Sequence, residues 1–172
     1  MLLSRIILGF LAIAPMTGAD LKRHFDTTVS HFWSADKAQI YRTLAALVEG
    51  ELATSTVVRG IDTPDRHEHR ITPAGRAALD AWLTSELDRQ PNREAFLARI
   101  FLSDTLGDAD VAALVARRRA TAHEQLAALE ALGSSAPSPA TRGERLRLAT
   151  LDNGLRHLRA ELDWLDSLEC LA

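Results

Sequence analysis

Cysteine is nearly missing from this chain: Cys170 is the single one in 172 residues. One cysteine closes no disulfide and builds no cysteine-based zinc site, and no nucleophile signature surrounds it. Aromatic residues make up only 5% of the chain, with one tyrosine, Tyr41. An excess of one charge sign is missing too. The 20 Lys/Arg and 23 Asp/Glu leave a net charge of −3, which excludes a surface coated in basic charge. Long apolar runs are also absent. The stretch from Ile6 to Ala14 is too short to span a bilayer. With Arg5 before it and Ala12-Ile13-Ala14 at its end, that stretch has the outline of an export leader. A lone positive charge, a short run and a strong helix start after Pro15 favour a cytoplasmic chain with no membrane partner. Catalytic signatures are lacking as well. There is no Gly-x-Ser-x-Gly, no phosphate loop and no metalloprotease histidine pair, so the reading is a non-enzyme without cofactor.

What remains is a globular composition, 47% apolar and 25% charged, with legible helix punctuation. Ser4 is placed to cap a first helix that Pro15 ends. Thr17-Gly18-Ala19-Asp20 resembles a capping box and opens a second helix to about Val29, with Leu21, Phe25 and Val29 at four-residue spacing. Ser34 caps a third helix with Asp36 in its first turn. Ile40, Leu44, Leu47 and Val48 form its buried stripe, and Gly50 marks its end. Leu52–Arg59 and His67–Ile71 read as the strands of a hairpin around the turn from Gly60 to Asp65. Thr72 and Pro73 start a fourth helix, which Ala77, Leu79, Trp82, Leu83 and Leu87 carry to about Asp88.

Gln90-Pro91-Asn92 breaks the chain and sets two domains, residues 1–89 and 93–172. The second reads as wholly helical. Asn92 caps a helix holding Phe96, Leu97, Ile100 and Phe101. A long helix follows from about Ala109 to Leu132, then a loop from Gly133 to Pro139. Thr141 to Glu144 is a second capping box, and beyond it Leu148, Leu151, Leu155, Leu158, Leu162 and Leu165 alternate at spacings of three and four. That is a heptad seam. The Ala109–Leu132 helix could cover it within one chain; across two chains it makes a homodimer, the reading favoured here. Trp164 beside the seam is read as a packing residue, with the lining of an effector cavity as the alternative.

Helix, helix, helix and hairpin in that order is the plan of a winged helix-turn-helix. Lys37, Gln39, Arg42 and Thr43 are expected on the polar side of the third helix, Arg42 suited to guanine, Gln39 to adenine and Lys37 to a phosphate. Arg59, Arg66 and Arg70 lie on or beside the hairpin and suit backbone contacts. His24, His31, His67 and His69 lack carboxylate or cysteine partners at ligand spacing and are read as solvated, not metal-binding. Residues 20–76 hold eight Lys/Arg and eight Asp/Glu, so the arrangement of charge decides whether a nucleic acid can bind there.

Three segments resemble the PadR family of transcriptional regulators. Ile6-Ile7-Leu8-Gly9-Phe10-Leu11 with Pro15 to Leu21 resembles the family's opening pattern. Phe32-Trp33-Ser34-Ala35 with Gln39-Ile40-Tyr41-Arg42-Thr43-Leu44 resembles its recognition-helix signature. Arg70-Ile71-Thr72-Pro73-Ala74-Gly75-Arg76 resembles its return strand and helix start. The helical remainder is similar to the family's virulence-activator-like branch. The resemblance implies a homodimer repressing a palindromic double-stranded DNA operator until a small molecule, in the family a phenolic acid or hydrophobic drug, relieves it. It also implies that Tyr41 helps anchor the recognition helix on the DNA backbone. Arg42 stands where the family has proline, Glu51 where it has glycine, and His69-Arg70-Ile71 lacks the usual aromatic. The expected architecture is mainly α with a small β-hairpin, a winged helix-turn-helix domain followed by a helical dimerisation domain. The rival reading is a dimeric ligand- or protein-binding module on the same fold without DNA binding.

Overall fold

The apolar N-terminal run folds as α1 (Leu2–Ile13), which starts ahead of Ser4, so Ser4 lies inside the helix instead of capping it. Ile7, Leu8 and Leu11 are buried along one side of it. The computed structural model describes residues 2–59, 65–87 and 94–168. They fall into two units, Met1–Asp88 and Arg89–Ala172.

In the first unit, Met16 and Thr17 form a short strand, β1, that sequence periodicity does not signal, since two residues are too few to alternate. Thr17 also caps α2 (Gly18–Thr27) through a complete capping box. Its hydroxyl accepts from the Asp20 N–H at 3.2 Å, and the Asp20 carboxylate accepts from the Thr17 N–H at 3.1 Å. Helix α3 (Lys37–Glu49) begins two residues later than Ser34 would set it. The cap is Asp36, whose carboxylate accepts from the Gln39 N–H at 2.7 Å while the Gln39 side-chain oxygen accepts from the Asp36 N–H at 3.2 Å. The expected stripe is buried: Ile40, Leu44 and Leu47 pack into the core with Leu21, Phe25 and Leu79.

Helix α3 closes with a Schellman motif. The Leu52 N–H reaches the Leu47 carbonyl at 2.9 Å and the Glu51 N–H reaches that of Val48 at 3.0 Å. The left-handed residue such a motif needs is Glu51, at φ 56°, not Gly50. Strands β2 (Ala53–Val58) and β3 (Arg66–Ile71) then pair antiparallel, Ala53 opposite Ile71 and Val58 opposite Arg66. β1 adds to the other edge of β3, Met16 opposite His69, giving the order β1-β3-β2. Most of the expected hairpin turn, residues 60–64, lies outside the described residues. Helix α4 (Pro73–Leu83) is capped by Thr72, whose hydroxyl accepts from the Gly75 N–H at 2.9 Å. It stops short of Asp88. The Thr84 hydroxyl bonds back to the Asp80 carbonyl at 3.0 Å and Ser85 to that of Trp82 at 2.8 Å, taking up the acceptors of the last turn. Leu83 and Leu87 are exposed beyond the core.

In the second unit, the expected cap Asn92 lies outside the described residues, and α5 (Ala95–Phe101) has Glu94 before it with no side-chain cap bond. After a 3₁₀ turn at Ser103–Thr105, α6 (Asp108–Ser135) runs through Gly133-Ser134-Ser135, expected as loop. The two serine hydroxyls bond back to the carbonyls of Glu130 and Leu132 at 2.9 and 3.1 Å. Helix α7 (Arg142–Leu168) opens with the expected box, Glu144 accepting from the N–H groups of Ala140 and Thr141 at 2.8 Å.

The leucine seam of α7 meets α6 of its own chain. Val115, Ala122 and Leu129 are buried at seven-residue steps along α6, and ion pairs Arg118–Glu161 at 2.6 Å and Arg159–Glu130 at 2.9 Å flank the contact. Leu162 and Leu165 are buried; Leu148, Leu151, Leu155 and Leu158 are half-buried.

Two glycines separate space from conformation. A methyl on Gly75 would sit 2.0 Å from the Leu52 carbonyl oxygen, whereas one on Gly9 meets nothing within 4 Å. Gly75→Ala is expected to lose at least about 2 kcal/mol by overpacking. Gly9→Ala, inside α1, is expected to gain about 0.5–1 kcal/mol. Urea unfolding of both variants checks the opposite signs.

Candidate nucleic-acid interface

With Ile40, Leu44 and Leu47 turned inward, α3 presents Ala38, Arg42, Ala45 and Ala46 outward, all exposed. Arg42 stands at the middle of that face among alanines, which keep the helix slim around it. Lys37 and Tyr41 share the flank one turn apart. The Tyr41 ring lies against the start of α2, so close that a methyl on Gly18 would come within 2.7 Å of it. The Lys37 ammonium is 5.9 Å from the ring centroid, a cation–π contact. The structure departs from the expected polar face at two positions. Thr43 is half-buried at the edge of the core stripe, and the Gln39 side-chain oxygen is engaged in the cap of α3.

The charges of the first unit are sorted. Lys22 pairs with Asp26 and Arg23 with Asp20 along α2, and Arg70 reaches Glu68 at 3.5 Å on β3. Lys37, Arg42, Arg59 and Arg66 make no ion pair among the described residues. The acids of α2 therefore pair with its own cations, Arg5 and Arg76 donate to the backbone carbonyls of Ala78 and Ala12, and the four cations with neither kind of partner lie on α3 and the hairpin. The i, i+3 and i, i+4 spacings of the α2 pairs were readable in the sequence. The contact between Tyr41 and Gly18 carried no such signal.

The histidines are not all solvated as expected. His69 is only 7% exposed, on the strand that β1 covers. Burial lowers its pKa, the charge of His67 adding to this and the backbone of Met16 and His67 opposing it. His24 stacks on Phe10 at 5.1 Å, and burial pulls its pKa down too. His67 is exposed, with its Nδ1 3.3 Å from the Ser55 hydroxyl. No three metal-ligating side chains cluster among the described residues.

In the second unit, Trp164 is half-buried, edge-on to Phe96 at 6.1 Å, with Arg118 over the Phe96 ring at 5.7 Å. An open cavity of about 700 Å³ lies between α5 and α6, lined by Arg99, Leu102, Leu106, Leu114 and Arg117. No periodicity or motif signals this cavity.

Residues 7–81 match the model of the transcriptional regulator PadR-like family, and residues 92–171 match virulence activator alpha C-term. The chain carries a PadR-like domain followed by a virulence activator alpha C-term domain. This PadR-like chain is 29% identical to the Mycobacterium tuberculosis protein named "Probable transcriptional regulator Rv1176c", over 98% of its own length and 96% of the relative's. Its fold is that of Bacillus subtilis PadR solved in complex with operator DNA, with a TM-score of 0.88 at 20% identity over 99% of each chain. It is also similar to the Vibrio cholerae virulence activator AphA, with a TM-score of 0.74 at 24% identity over 99% of each chain. The matched family model and the Mycobacterium tuberculosis relative are both named as transcriptional regulators. No described helix is long and apolar enough to cross a membrane.

Two consequences follow from the packing. Gly18→Ala is expected to push the Tyr41 ring off α2 while leaving the core stripe in place. Because Tyr41 is the only tyrosine, its ring NMR signals report this directly. For His24 and His69, the folded state disfavours the proton relative to the ordinary value of 6.5. The unfolded chain then binds more protons below that value, so stability is full above about 6.5 and falls as pH drops through it. The melting temperature is expected to fall between pH 7.5 and 5.5, with a shallower fall in His69→Gln.

Proposed function

We propose that this PadR-like regulator is a cytoplasmic homodimeric repressor that grips a palindromic double-stranded operator through α3 and the β2–β3 wing and releases it on binding a small molecule. The observation that carries this reading is Arg42, an unpaired guanidinium at the centre of an exposed alanine face. A slim helix enters the major groove, and an arginine there pairs bidentately with guanine. Lys37, at the first turn of α3, and Tyr41 are placed for the phosphate backbone. Arg59, Arg66 and Arg70 add backbone contacts from the wing. Gln39 reaches adenine only with its free amide nitrogen unless the cap opens, and Thr43 contributes from the edge. The operator complex of Bacillus subtilis PadR, on the same fold, supports the assignment.

Two copies are needed to read two half-sites. The leucine seam, from Leu148 to Leu165, is largely occupied by α6. The dimer surface is therefore assigned to its half-buried leucines together with the exposed Leu97, Phe101 and Leu102 of the same unit. The cavity between α5 and α6 is the candidate effector site, with Trp164 supporting it by packing on Phe96. The reading includes no catalysis and no cofactor.

A gel shift with the gene's own upstream region and a random duplex of equal length, titrated with salt, tests this. The upstream duplex is expected to bind at least tenfold tighter. Arg42→Ala is expected to cut that preference by about 1–3 kcal/mol. Lys37→Ala is expected to weaken both duplexes alike and lower the salt slope by about one. Equal binding to both duplexes, or none by intact dimers, overturns the assignment and favours a module that does not bind DNA.

A further inference from the structure

Glu49 is the last residue of α3, exposed, with no hydrogen bond or ion pair from its carboxylate among the described residues. A negative charge in that position opposes the helix dipole, and the last turn holds no cation to offset it. The fold gains nothing visible from it. Its place on the helix is informative: seven residues after Arg42, two turns further along the same face. At 1.5 Å per residue that is about 10 Å, close to three base-pair steps. Between them Ala45 and Ala46 leave the face clear.

We propose that Glu49 is a second specificity-determining residue, which selects cytosine about three base pairs from the guanine read by Arg42. The proposal rests on the DNA-binding reading above. A carboxylate only accepts hydrogen bonds, so at the groove floor it suits the cytosine N4 amino group. Guanine N7 and O6 or thymine O4 would leave it facing acceptors, a penalty that rejects those bases. Glu51 supplies an internal control. It carries the same charge two residues on and is exposed, but it lies past the helix end in the left-handed position. An effect of net charge alone would come equally from both residues.

The test is selection from a pool of randomised DNA duplexes by the full-length wild type and by Glu49→Gln, Glu51→Gln and Arg42→Ala, with thermal melts to verify folding. The wild type is expected to enrich half-sites with guanine and, about three pairs away, cytosine. Glu49→Gln is expected to shift that second position about tenfold from cytosine toward adenine, which an amide pairs with, and to leave the guanine untouched. Arg42→Ala is expected to erase the guanine alone, and Glu51→Gln to leave both positions unchanged. An unchanged motif in Glu49→Gln, or the same shift in Glu51→Gln, overturns the role of Glu49 while DNA binding stands. A wild type that enriches no sequence overturns both.

Discussion

The carbonyl oxygen of Leu52 is the point on which the first unit turns. It accepts the Thr72 N–H at 3.1 Å, and the backbone of Gly75 passes so close that no side chain fits between. Beside it the Thr72 hydroxyl donates to the Glu51 carbonyl at 2.8 Å and accepts from Gly75. One peptide thus ties the end of α3, the root of the hairpin and the start of α4. The end of α3 is held against the hairpin and α4 there as well as by the core, through a backbone-to-backbone contact that leaves no room for a side chain. The left-handed Glu51 is part of the same tie. It bends the chain sharply enough to bring Leu52 under α4, at the conformational cost that a residue with a side chain bears there.

A neutral domain can still present isolated, unpaired cations. Total charge is the wrong measure, because an acid that pairs within α2 does not act on α3. Lys22 and Arg23 would be natural phosphate contacts by composition, yet their local partners take much of their field away. Lys37, Arg42, Arg59 and Arg66, which have no such partner, sit on α3 and the hairpin, the elements a groove would meet. Such an arrangement yields a short-ranged attraction, with little pull on DNA at a distance.

Much of this was readable beforehand, and the misses have physical causes. Capping boxes at Thr17 and Thr141 and the buried stripe of α3 depend on nearest neighbours along the chain, which sequence displays. Ser34 and Asp36 were both capable caps, and the choice fell to Asp36 because Gln39 stands three residues after it and completes a box. β1 depends on β3, some fifty residues away, so nothing local announces it. The histidines misled for the same reason: His69 is buried by β1 and His24 by Phe10 of α1. At the interface, Lys37, Arg42 and the hairpin arginines could be named from type and order, while the roles of Gln39 and Thr43 changed once their own contacts were visible. The leucine seam was equally plain, but periodicity says only that a partner exists, not whose chain supplies it.

The contacts of α1 also bear on the order in which the molecule is assembled. Arg5 donates to the Ala78 carbonyl and Arg76 to that of Ala12, spans of 73 and 64 residues. Those two bonds can therefore form only after α4 has been made. At about 5–20 residues per second, they wait several seconds after α1 itself is synthesised. The α6–α7 hairpin, by contrast, closes over a short loop, and its contacts are local enough to form as soon as both helices exist. The helix with the most apolar stretch of the first unit is thus fastened at both ends only once α4 arrives, while its Phe10 can already rest on His24 and Phe25 of the neighbouring helix.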